Sequence, residues 1–67
     1  MDKQLFLFHL KRVMEKKIDG AEIGNYFIIR IPNGVKVIKK IEDYFIPDDE
    51  KAPANMKKFV EKKIRAR

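Results

Sequence analysis

The sequence predicts an α+β fold: an N-terminal helix, a central antiparallel β-hairpin and a C-terminal helix. Three observations predict it. Apolar residues recur at helical spacing near both ends of the chain. Aromatic and β-branched residues crowd its middle, and Pro32-Asn33-Gly34 divides that middle into two runs.

Residues 3–18 read as the first helix. Phe6, Leu7, Leu10, Val13, Met14 and Ile18 make one broad apolar face. Asp2 is placed to cap its start, Lys16 and Lys17 suit the C-terminal end of its dipole, and Asp19-Gly20 supplies a stop. The hairpin follows over 26–31 and 35–40. Pro32 presets φ for the first turn position, Asn33 tolerates the second, and Gly34 is expected to take the left-handed third. A three-residue loop of this kind pairs Ile31 with Val35, Ile29 with Val37 and Phe27 with Lys39. Gly24-Asn25 offers a second, tighter turn to a short strand at 21–23, and a third short strand is open over 43–46. A competing reading makes 35–45 helical, because Val35, Ile38, Ile41 and Phe45 also recur at helical spacing behind an Asn33 cap. Residues 47–52 are a polar connector. The last helix covers 53–66, with Pro53 in its first turn and Met56, Phe59, Val60 and Ile64 as its apolar stripe.

Composition narrows the function. The 67 residues make one domain over 1–67, with too little chain for a large core, and no cysteine is available to staple it. No serine or threonine is present, which excludes a hydroxyl nucleophile of that type, Ser/Thr phosphorylation and N-glycosylation. The apolar run at 5–10 is too short for a membrane helix and no small-residue cleavage site follows it. With the lack of cysteine, this sets the expectation of a cytoplasmic protein that does not engage membranes.

Catalysis finds little support. His9 is the only histidine and has no carboxylate partner in the helix pattern, so no acid–base pair is legible. Asp48-Asp49-Glu50 is the one acidic cluster, with only Glu42 and Asp43 nearby, too few converging ligands for a hard cation. No P-loop, dinucleotide or zinc spacing is present. The expectation is a non-enzymatic binding module without metal or cofactor.

The net charge of +6 points to an acidic partner. On the last helix Lys58, Lys62 and Arg65 stack at i, i+4, i+7 beside Lys57, a spacing suited to phosphates, although Glu61 could neutralise part of it by i±4 pairing. On the hairpin, Tyr26 and Arg30 are expected beside Lys36 and Lys40, an aromatic-and-cation platform of the kind nucleic acids stack on. The alternative is that helices cover both faces of the hairpin. Nucleic acid, bound through its backbone with little sequence specificity, is therefore the first expected partner. A protein partner is the second: Leu5 and Phe8, beside Arg12, lie off the main apolar face of the first helix, as a docking patch or homodimer contact would.

Overall fold

The structure, a computed structural model, describes residues 2–64. The fold is α+β: helix α1 (Lys3–Met14), strands β1 (Gly20–Ile23), β2 (Tyr26–Ile31), β3 (Gly34–Lys39) and β4 (Glu42–Pro47), then helix α2 (Ala52–Lys63). The strands form one antiparallel meander in the order β1-β2-β3-β4. Four strands are thus present where the sequence predicts a central two-stranded hairpin and leaves the short flanking strands open. The Gly24-Asn25 turn and the short strands at 21–23 and 43–46 are present, and 35–45 is strand, turn and strand rather than helix.

Helix α1 stops four residues earlier than its periodicity suggests. Asp2 caps its start, its carboxylate accepting from the Gln4 and Leu5 amides at 2.9 and 3.4 Å. At the other end Lys16 takes a left-handed φ of 64°. The Lys16 amide donates to the Val13 carbonyl and the Lys17 amide to that of Arg12. These two bonds close a Schellman motif, with lysine where glycine is usual. Ile18 still packs on the core, but from the loop beyond the helix, which is why its spacing imitates another helical turn.

The hairpin register is one residue off the expected one. Ile31 pairs with Gly34, so the β2–β3 loop holds only Pro32 and Asn33. Gly34 does not take a positive φ. Its lack of a side chain matters for another reason: a Cβ there would lie 2.5 Å from the Ile46 carbonyl oxygen and 2.6 Å from the Phe45 ring. The ring of Phe45 lies across the glycine, a close approach that only a residue without a side chain allows. A one-residue slip turns every β3 side chain over.

Both helices pack on the same face of the sheet. The core joins Phe6, Leu10 and Val13 of α1, Tyr26 and Ile28 of β2, Val35 and Val37 of β3, Ile46 of β4, and Met56, Phe59 and Val60 of α2 with Ile64 beyond it. An aromatic cluster lies inside it, with Phe6 edge-on to Tyr26 at 5.2 Å and Tyr44 edge-on to Phe59 at 5.1 Å. The architecture is two layers, helices on one side and an uncovered sheet face on the other.

Candidate functional site

The uncovered face is built by strand alternation. Side chains two residues apart share a face, and the pairings group them into rows across the sheet. One row is Glu22, Phe27, Ile38 and Asp43; the next is Gly20, Ile29, Lys36 and Phe45; the last is Ile31, Gly34 and Pro47. Phe27, Ile29 and Phe45 are 47%, 40% and 48% exposed. For comparison, Ile28 and Val37 on the covered face are fully buried. Isolated exposed apolar residues are ordinary, but a contiguous sheet face of them marks a surface that contacts something.

Charge on this face is sparse. Lys36 stands in the middle row, with its ammonium 4.0 Å from the Asp43 carboxylate. Glu22 and Asp43 occupy opposite ends of one row, so one cation faces two acids and the face carries −1. The surplus of positive charge is in the helix layer. Residues 2–17 hold five cations against two acids, and 52–63 hold four against one, giving +3 each.

The hairpin residues expected to bind nucleic acid do not converge, because the register shift separates them. Tyr26 is buried on the covered face, its hydroxyl donating to the Lys63 carbonyl at 3.4 Å. Arg30 is also on that face, at its margin. Its guanidinium donates to the Met14 carbonyl at 3.2 Å and to both carboxylate oxygens of Asp48, the bond to Oδ1 being 3.0 Å. Arg30 therefore ties β2 to the end of α1 and to the connector, and its donors are directed inward. Lys36 points to the open face, and Lys40 sits at the tip of the β3–β4 turn with φ 54°. A platform of Tyr26, Arg30, Lys36 and Lys40 is not formed.

The stripe on α2 is better preserved. Lys57, Lys58 and Lys62 are exposed and line a shallow depression with Ala54 and Glu61. Glu61 reaches across to Lys3 of α1, 3.4 Å away, rather than along its own helix to a lysine. Arg65, the expected third member of the stripe, lies outside the described residues. On α1, Leu5 and Phe8 are half exposed, and the Arg12 guanidinium lies 5.6 Å above the Phe8 ring. These three share one flank of the helix as expected, and the Arg12 Nε is buried there without a hydrogen-bond partner.

The remaining polar candidates serve local structure. His9 lies edge-on to Phe8 at 5.4 Å. In the acidic cluster, Asp48 holds Arg30 and the Asp49 carboxylate accepts the Lys51 amide at 2.8 Å ahead of α2. Tyr44 donates to the Glu42 carboxylate, which together with partial desolvation holds its phenol above the ordinary value, against the pull of Lys63 beside it. Among the described residues no group of three or more His, Asp or Glu side chains gathers as metal ligands would. No helix among them is long and apolar enough to cross a membrane.

Sequence reasoning missed the open face because it paired Ile29 with Val37 and looked for the exposed surface on the side of Tyr26 and Arg30. The signal that could have found it is the want of alternation in Tyr26–Ile31: five of its six residues are apolar, so either face could be the covered one. No protein-family model, curated protein or solved structure matches this chain.

Proposed function

We propose that the chain is a non-enzymatic protein-interaction module whose working surface is the open sheet face. The observation that carries this reading is that the uncovered sheet face exposes Phe27, Ile29 and Phe45, each near half exposure. Large aromatic and aliphatic side chains surrounded by few charges are the composition of protein interface cores. Nucleic acid is disfavoured on that surface, since its single lysine already faces Asp43 and the face is net negative.

The test is affinity capture with immobilised protein, comparing wild type with Phe27→Glu and with a Lys58→Glu, Lys62→Glu double variant. The expected result is a partner held by wild type and by the double variant and lost from Phe27→Glu. Capture that survives Phe27→Glu removes the sheet face as the working surface.

A second reading keeps one observation of its own. Because Glu61 turns to Lys3, the cations of Lys57, Lys58 and Lys62 remain without a carboxylate partner among the described residues. That stripe suits weak, non-specific contact with a phosphate backbone, of order 10⁻⁴–10⁻⁶ M at physiological salt. Binding of labelled single-stranded DNA, duplex DNA or RNA that weakens log-linearly with salt, and is lost on Lys58→Glu, Lys62→Glu, supports it. No binding at low salt removes it.

A further inference from the structure

We infer that the occupant of the open sheet face is a second copy of this chain, the two sheets stacking face to face with their helices outermost. This rests on the reading of that face as the working surface and goes on to name what covers it.

Charge distribution favours a copy over a foreign partner. A chain of net charge +6 should repel itself, yet the face that would meet its copy carries only −1. The repelling cations are on the helices, behind the sheet. Stacked sheets lie roughly 10 Å apart with the helix layers beyond them, so the basic layers are separated by well over a Debye length of about 8 Å. An acidic protein would be attracted to the helix side and gain nothing at the open face. A basic partner would find only one net negative charge on this face and would be repelled by the chain's overall +6.

Shape points the same way. Twisted antiparallel sheets pack on one another at about −30°, the angle that follows from their shared twist, so an uncovered sheet fits another copy of itself. A two-fold arrangement also closes, leaving no free patch for further growth. Three strands of six residues and one of four present a face of at most roughly 19 by 20 Å. Two such faces bury on the order of 750 Å², smaller than a standard interface and fitting a weak, reversible pair. Lys36 near the middle adds to this weakness, because pairing strips water from its ammonium.

Sedimentation equilibrium of the full chain from about 1 to about 500 μM is the test, since a weak pair forms in that range. Wild type should pass from monomer to dimer. Phe27→Glu and Ile29→Glu should each raise the dissociation constant at least tenfold (roughly 1.4 kcal/mol), while Lys36→Met should lower it. Raising salt should preserve or strengthen the dimer, because it screens two like-charged chains.

A cross-linking measurement keeps the inference testable if a glutamate variant loses its circular dichroism. The chain has no cysteine, so Ile38→Cys should join two copies through a short bismaleimide and Lys58→Cys should not. A wild type that stays monomeric throughout overturns self-pairing. In that event, Phe27-dependent capture of another protein preserves the broader reading of the face, and its absence removes both. A dimer indifferent to Phe27→Glu and Ile29→Glu overturns the inference, because the pair then forms through another face.

Discussion

The two faces of the sheet are made of nearly the same residue types and have opposite fates. Ile28 and Ile29 are neighbours in β2: the first is fully buried beneath the helices and the second is 40% exposed. Tyr26, Val35 and Val37 join the first, while Phe27, Ile38 and Phe45 join the second. A half-buried antiparallel sheet ordinarily shows polar residues on its wet side. Here the wet side is apolar, so solvent exposure on that face is the departure from type that asks for a binding role.

The largest expected effect separates the faces directly. Ile28→Ala should cost about 2–5 kcal/mol, because it opens a cavity among side chains that cannot fully collapse. Ile29→Ala should cost under about 1 kcal/mol in the monomer, as at an exposed site. Urea unfolding at low protein concentration measures both, and equal costs would break the distinction between the faces.

A smaller effect is expected at the margin of the covered face. Asp48→Asn removes the charge that receives the Arg30 guanidinium, whose side chain is 12% exposed against 31% for Asp48. With that much solvent at the acid, the loss should be roughly 1–2 kcal/mol rather than that of a fully buried pair. Unchanged stability in the same titration would show that Arg30 contributes packing alone.

The smallest effect is a control that alters neither face. Lys40 holds a left-handed φ of 54° at the β3–β4 turn, a conformation glycine adopts without strain. Lys40→Gly should therefore stabilise the fold by about 0.5–1 kcal/mol and leave self-association unchanged. A shift in the monomer–dimer equilibrium would bring that turn into the interface.

Much of the architecture could be read from the residues. The periodicity of Phe6, Leu10 and Val13, the Asp2 cap and the Met56, Phe59 and Val60 stripe locate both helices, since 3.6-residue spacing and capping are local properties. The Gly24 turn was also readable, with positive φ at its first position only, the pattern of a type II′ hairpin. The candidate surface was not. Pro32-Asn33-Gly34 fits both a two-residue and a three-residue loop, and nothing local to it shows the close approach of Phe45, eleven residues further on, to a Gly34 placed in the strand. The one-residue slip puts Lys36 on the face opposite Tyr26 and Arg30 and so disperses the expected cationic platform.

By itself the sequence determined the order of helix, β-rich middle and helix, because periodicity and capping depend on neighbours within a few residues. It also determined the net charge, which is a sum over composition. Tertiary structure alone decided which side of the sheet the helices cover and which cations stay free. Strands apolar on both sides carry no local mark of inside and outside, so the covered face is chosen only when α1, α2 and all four strands pack together. Likewise Arg30 meets Asp48 and Glu61 meets Lys3 only in the folded chain. Long-range packing therefore selects the residues that remain available for binding.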